Sequence, residues 1–275
     1  MLDIDIAAPY VLVQTRHGPM LANRHDRFIG QALMQYGEYS EIEAEFLQRW
    51  IDRPSVVVEV GANIGTHTLP LAKRAAAVGG ELVAFEPQPF VFQNLCANLA
   101  LNGMENVRAW PWACGAEAGT LYFPQPNYSQ PGNFGAVSMR ADATAGMVSV
   151  PCARLDTLLG DSDVSLIKMD LEGGELAALQ GGLQTLRRCR PVLYLENDQV
   201  ARSRALIEWL WAEEYLLWWH ICPLFNPENF RGERANAYPN IYSFNMLALP
   251  RESNAAVPPG CKAIIDAGAH PLHRA

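Results

Sequence analysis

Residues 56–65, Val-Val-Val-Glu-Val followed by Gly-Ala-Asn-Ile-Gly, constrain this chain more than any other stretch. The β-branched run with a single acid reads as a parallel strand covered on both faces, and helical spacing resumes between Thr66 and Lys73 through Leu69 and Ala72. Gly61 and Gly65 lack a Cβ, so the turn between strand and helix can be tight. Backbone can then approach a ligand lying on the unpaired amides of the helix N-terminus. A dinucleotide site would want Gly-x-Gly-x-x-Gly. Here the middle glycine is missing, Asn63 stands in the loop between Ala62 and Gly65, and Glu59 places an acid where an ammonium could be met. The combination favours S-adenosylmethionine over NAD, with Thr66 at the helix entry.

A second strand, residues 81–85, ends in Glu86-Pro87, about 20 to 25 residues past the glycines. A carboxylate at that strand end is placed to accept both ribose hydroxyls. An isolated acid after a strand is usually a surface group. The glycine loop at this distance outweighs that reading.

Composition narrows the partners. A chain of 275 residues with 49% apolar content can bury one good core. A net charge of −8 with no Lys/Arg cluster argues against a nucleic-acid partner, which needs a basic face to release counterions. Six scattered cysteines (Cys96, Cys114, Cys152, Cys189, Cys222, Cys261) with no Cys-x-x-Cys pair signal neither a zinc site nor a disulfide frame, and fit reduced thiols in the cytoplasm. Met1 to Pro9 has no basic or apolar leader pattern, and no run of about 20 apolar residues predicts a membrane span.

Strand and helix patterns alternate along most of the chain. A helix over residues 39–50 carries a capping box at Ser40 and Glu43 and turns Ile42, Phe46, Leu47 and Trp50 to one face. Further helices are expected over 89–101, stopped by Asn102-Gly103, and over 175–179 and 204–214. Strands are expected over 107–112, 164–169 and 191–195. Residues 120–123 and 147–150 break the alternation as a hairpin with a long Pro/Gly/Asn/Ser-rich tip, and 215–221 pairs with 241–249 at a sheet edge. The fold class is therefore α/β, a doubly wound and mostly parallel sheet with an antiparallel edge and a β-hairpin insertion. Its ligand lies outside the strand carboxyl ends. Residues 1–52 form a helical or irregular appendage, 53–250 the cofactor-binding domain, and 251–275 a weakly ordered tail. Residues 1–30 and the tail are the candidate contacts of a homo-oligomer.

The ordered set Glu59-Val60-Gly61-Ala62-Asn63-Ile64-Gly65, Phe85-Glu86-Pro87, Asn98 with Asn102-Gly103, Lys168-Met169-Asp170-Leu171-Glu172-Gly173, and Arg190-Pro191 with Glu196 resembles the FkbM family of methyltransferases across residues 36–200. Members usually open the glycine motif with Asp, and Glu59 keeps that charge on a longer arm. The resemblance implies the class I, Rossmann-like fold. It also implies S-adenosylmethionine as cofactor and, for most members, O-methylation of a sugar, polyketide or other small hydroxylated acceptor.

Methyl transfer from a sulfonium is an in-line displacement, so the protein must hold the acceptor oxygen near the methyl carbon and help remove its proton. In this reading Gly61 and Asn63 hold the methionine portion and Glu86 the ribose, while Trp112 or Ala113 borders the adenine. Tyr39, Ser40 and Glu43 close over the methionine end, although a helix cap and a packing aromatic explain those three equally well. Asp170 or Glu172 is the general base or orients the acceptor. Alternatively Asp170, Glu196 and Asp198 are oxygen ligands for Mg²⁺ or Ca²⁺. Glu172 as a plain helix-capping acid is the bland alternative. His67, in the first turn after the glycine loop, either points at the methyl-transfer centre or, more simply, is a helix-face histidine with a satisfied ring. His220 is a catalytic candidate beside a loop, residues 225–231, proposed as the acceptor lid. N-methylation and a non-catalytic cofactor-binding component of a biosynthetic assembly are the rival functions.

Overall fold

The computed structural model describes residues 6–274; residues 1–5 and 275, the extremities of the expected appendage and tail and part of the leader reading, lie outside it. The chain opens with β1 (Tyr10–Thr15) and β2 (Gly18–Asn23), an antiparallel hairpin, followed by α1 (Ile29–Tyr36) and α2 (Glu41–Gln48). The alternating unit then runs β3 (Val56–Val60), α3 (Thr68–Ala77), β4 (Glu81–Phe85), α4 (Pro89–Leu101) and β5 (Val107–Trp110). A small sheet interrupts it, built from β6 (Ala113–Cys114), β7 (Gly119–Pro124) and β8 (Met147–Ala153). The chain continues with α5 (Leu155–Leu159), β9 (Val164–Met169), α6 (Glu175–Gly181), α7 (Leu183–Cys189), β10 (Val192–Glu196) and α8 (Val200–Ala212). Finally come β11 (Tyr215–Pro223), β12 (Tyr242–Pro250) and β13 (Lys262–Ala263).

The large sheet has the order β13-β11-β12-β10-β9-β3-β4-β5. Its central strands are parallel, and β12 enters antiparallel between β10 and β11. This is the doubly wound sheet with an antiparallel edge that the residue pattern and the family resemblance imply. The hairpin insertion is present as β7 and β8, to which β6 adds a parallel third strand.

The sheet is buried on both faces because its strands are apolar at successive positions. Val57, Leu82 and Leu166 turn to the layer holding α3 and α4, while Val58, Val83 and Ile167 turn to the layer holding α6 and α8. Fully buried Leu69 and Leu95 anchor α3 and α4, each worth about 1.5–3 kcal/mol in transfer terms. Trp218 and Trp219 alternate across β11 and pack into opposite layers.

The ends of the chain differ from the expectation. Residues 10–23 form a hairpin that contributes Val13, Met20 and Ala22 to the core. Asn98 of α4 and Asn102 at its C-cap tie it down. Asn98 accepts from Leu21 N at 2.7 Å through Oδ1 and donates through Nδ2 to Ile64 O at 2.8 Å, and Asn102 Nδ2 donates to Pro19 O at 2.8 Å. The carboxyl-terminal stretch, expected to be weakly ordered, packs against the sheet: β13 pairs with β11, and Ile264 and Ala267 are buried in the core. Short strands of this kind leave no periodicity to read. Among the described residues, no helix is long and apolar enough to cross a membrane.

Candidate active site

The glycine loop is a strained turn between β3 and α3. Gly61 has φ 82° and Gly65 φ 93°, and the amides of Gly61 and Ala62 both donate to Phe85 O, at 2.9 and 3.0 Å. Asn63 adopts a left-handed φ of 49°, which its side chain supports by accepting from Ile64 N at 2.8 Å. That conformation aims the Asn63 amide at Glu86, whose Oε2 accepts it at 2.9 Å while Oε1 accepts from Gln88 N at 2.9 Å. Glu86 thus lies across the loop from the end of β4. Burial pushes its carboxyl up to about 7 against the pull of those two amides. The remaining lone pairs of each oxygen suit hydroxyl donors such as a ribose diol.

Glu59 has a different role from the one expected. It is 1% exposed, accepts from Thr68 Oγ1 at 2.7 Å and lies 3.8 Å from Lys168 Nζ, its neighbour across the parallel β3–β9 register. Lys168 in turn lies 3.5 Å from Asp170 Oδ2, two residues along the same strand face. Burial would discharge Lys168, but Asp170, Glu59, Glu43 and Glu196 around it hold its proton. Its field also keeps Asp170 below the ordinary aspartate range despite burial. Burial, then the neighbouring Asp170 and Asp198, drive Glu196 well upward. Glu172 follows at a left-handed φ of 51°, and burial, then Asp170 and Asp198, push it up to about 7. Asp170, Glu172 and Glu196 each bring a carboxylate oxygen within 4.8 Å of the others. Asn63 and Glu172, two of the non-glycine residues with left-handed backbone, both line this site.

Most of the residues singled out from sequence converge on a cleft of about 300 Å³ at the carboxyl ends of β3, β4, β9 and β10. Tyr39, Glu59, Gly61, Ala62, Asn63, Thr66, Glu86, Asp170 and Glu172 all line it. Pro87, Trp112 and Ala113 line an adjoining, more apolar cavity of about 390 Å³, with Glu172 at the junction of the two. A larger groove of about 570 Å³ lies at the opposite ends of the strands, among Arg49, Ser165 and Arg190, and Arg190 is the one motif residue among those lining it.

Some expected residues stand elsewhere. Gly65 packs against Leu95 and Thr68 behind the loop. Ser40 does not cap α2 with its side chain. Its hydroxyl donates to Glu43 Oε1 at 3.2 Å, and Glu43 also accepts from Ser243 on β12, so the reciprocal capping box does not form. His220 is not brought to the cleft: it stacks on Phe46 with ring centroids 3.8 Å apart and shares a 2.8 Å hydrogen bond with the Tyr194 hydroxyl. Burial lowers it to about 4, which marks a neutral core histidine. The expected lid turns its polar tips away, with Asn226 donating to Glu38 and Arg231 to Met34 O, at 2.8 and 2.7 Å. None of residues 225–231 lines the cleft; Leu224 just before them and Ile241 further along do. His67 does line it, buried, neutral and donating to Ser40 O at 3.4 Å. Lys168 was missed as a site residue, although its alternation with Asp170 on one strand placed both side chains together.

With this geometry in place, known proteins identify the family. The sequence profile described as the Methyltransferase FkbM domain matches residues 59–217. The chain belongs to the FkbM methyltransferase family. Methyltransferase sdnD of Sordaria araneosa is 31% identical over 193 residues, covering 54% of this chain and 72% of that protein. Methyltransferase 1 of Beauveria bassiana is 29% identical over 178 residues, covering 52% and 68%. A solved FkbM methyltransferase from Methylobacillus flagellatus aligns at TM-score 0.46 and 16% identity over 81% of this chain, which spans 55% of that protein's length. A SAM-dependent methyltransferase from Agrobacterium tumefaciens aligns at TM-score 0.47 and 12% identity, over 92% of this chain and 73% of that one.

Proposed function

We propose that this FkbM methyltransferase methylates a hydroxyl of a sugar, polyketide or other small molecule, with Glu172 as general base and Asp170 as the group that orients the acceptor. S-adenosylmethionine supplies an electrophilic methyl carbon on its sulfonium when bound. Glu86 and the Asn63 loop hold the nucleoside, Trp112 and Ala113 border its base, and Tyr39 with Thr66 bounds the methionine end. The observation that carries the reading is the position of Glu172 at the junction of the two cavities, with its carboxyl poised at about 7. A base of that pKa is half-ionised at neutral pH and can take the hydroxyl proton as the oxygen attacks. Asp170 stays ionised beside Lys168 and can accept a hydrogen bond from the acceptor without taking its proton.

The test is turnover with S-adenosylmethionine and a panel of neutral hydroxylated compounds, followed by mass spectrometry for the gain of one methylene. Glu172→Gln and Asp170→Asn that both retain full turnover while binding S-adenosylhomocysteine remove the assigned roles. Attachment of the new methyl to nitrogen, read by NMR, favours N-methylation.

A second reading rests on the three carboxylate oxygens of Asp170, Glu172 and Glu196, an all-oxygen set suited to Mg²⁺ or Ca²⁺. Lys168 already supplies a positive charge 3.5 Å from Asp170, so base catalysis stands without a cation. Loss of turnover on EDTA treatment, restored by Mg²⁺, would favour the second reading.

A further inference from the structure

The acceptor side of the cleft has two features that the roles above leave unused. Its lining is rich in carboxyls and poor in cations. Glu196 Oε2 and Asp198 Oδ1 are both buried, and neither has a hydrogen-bond partner among the described residues. Lys168 is the one Lys or Arg among the residues that line this cleft, and Glu59 and Asp170 already engage it. His67 there is neutral. A buried carboxyl oxygen without a donor is costly, and a ligand that brings a hydroxyl or ammonium hydrogen relieves that cost. A ligand that brings a carboxylate or phosphate adds repulsion instead.

The rim has the opposite chemistry. Phe28 and Ile29, at the start of α1, line the cleft together with Leu224, Ile241 and Tyr242. Ile241 is 37% exposed and Tyr242 48%, so two large apolar side chains meet water at the mouth of an acidic cleft. Small-molecule sites commonly pair an apolar wall with a few placed polar groups in this way.

We infer that the acceptor is an amphiphile: its apolar body lies against the Phe28, Ile241 and Tyr242 rim, and its head donates hydrogen bonds to Glu196 and Asp198 and carries no negative charge. The inference rests on the proposed methyl transfer at this cleft and adds the acceptor's charge and shape. Vicinal hydroxyls and an ammonium share the required head chemistry, and the same experiment separates them.

The experiment uses protein saturated with S-adenosylhomocysteine and three probes with one apolar body: 2-phenylethanol, 2-phenylethylammonium and phenylacetate. Binding is read by saturation-transfer NMR on the ring protons. The expected result is transfer to the alcohol or the ammonium, with affinity for phenylacetate at least about tenfold weaker. Preference for the alcohol identifies a hydroxylated head and preference for the ammonium an amine, and either supports the inference. In the Glu196→Gln/Asp198→Asn double variant the discrimination against phenylacetate is expected to shrink, and in Ile241→Asp the ring signal of the alcohol is expected to disappear. Equal binding of all three probes, absence of transfer to both non-anionic probes, or indifference to Ile241→Asp overturns the inference. S-adenosylhomocysteine affinity, measured on every variant, keeps the two readings apart: its absence in the wild type sinks the cofactor assignment, whereas its presence with equal probe binding sinks only the acceptor inference.

Discussion

Gly61→Ala tests the claim that the glycine loop owes its place to backbone contact with the end of β9. A Cβ at Gly61 would stand 2.0 Å from the carbonyl oxygen of Asp170, and the residue would have to keep a φ of 82°. A left-handed alanine costs about 1–2 kcal/mol, and an extra methyl forced against packed backbone costs about 1–3 kcal/mol, together about 2–5 kcal/mol. At about 2 °C per kcal/mol for a chain of this size, the melting temperature is expected to fall by about 4–10 °C. Gly103→Ala is the matched control: φ is 61° but nothing lies within 4 Å, so only the backbone cost of about 1–2 kcal/mol applies. The collision also strikes the site. Asp170 N donates to Val60 O at 3.1 Å, and moving that carbonyl aside drags the carboxylate with it. Calorimetry gives both melting temperatures, and titration with S-adenosylhomocysteine gives the affinity. If Gly61→Ala melts no lower than Gly103→Ala and binds as the wild type does, the contact is not what positions the loop.

Three further outcomes follow from the site. Glu86→Gln is expected to weaken S-adenosylhomocysteine binding by about 10–100-fold, the size of a charge-assisted hydrogen bond, by isothermal titration. In the wild type, affinity should rise as pH increases through about 7, where the buried Glu86 ionises, and this rise should be absent from the variant. Glu172→Gln should lower turnover by about 10²–10⁴-fold and remove the increase in rate as pH rises through about 7; a wild-type profile flat across that range argues against a glutamate base. His220→Phe should leave S-adenosylhomocysteine affinity unchanged yet lower the urea midpoint, because the buried Tyr194 hydroxyl loses its partner at a cost of about 1–3 kcal/mol. Because burial lowers His220 from 6.5 to about 4, its contribution to stability is present above pH 6.5 and is lost as pH falls toward 4. The difference in stability between wild type and variant should narrow over that window.

The parts of the fold that were legible from sequence are those with a local cause. The strands Val56–Val60 and Glu81–Phe85 are continuous apolar runs, and the helix Pro89–Leu101 starts on proline and stops before Asn102-Gly103, so their bounds coincide with the expected ones. The amino-terminal hairpin was not legible because its turn is Arg16-His17, without the Asn-Gly or Asp-Gly signature of a two-residue loop. The site residues at strand ends, Asp170, Glu172 and Glu86, were placed together by topology, since parallel strands bring their carboxyl ends to one rim. His220 misled because a histidine in an alternating strand gives no sign of whether its ring meets a cleft or, as here, a phenylalanine and a tyrosine. The polar tips of residues 225–231 misled for a related reason: Glu38, about 190 positions away in sequence, takes their hydrogen bonds.

Asn98 has a practical bearing on where this enzyme can be cut. Its one carboxamide grips both the Leu21 backbone and the carbonyl of Ile64 inside the glycine loop, so the loop's geometry is partly set by a ribbon that lies upstream of the family-matched segment, residues 59–217. A minimal catalytic module trimmed to that segment would leave the carboxamide half-employed and the loop without its brace. Transplants and truncations therefore need to carry the ribbon with them.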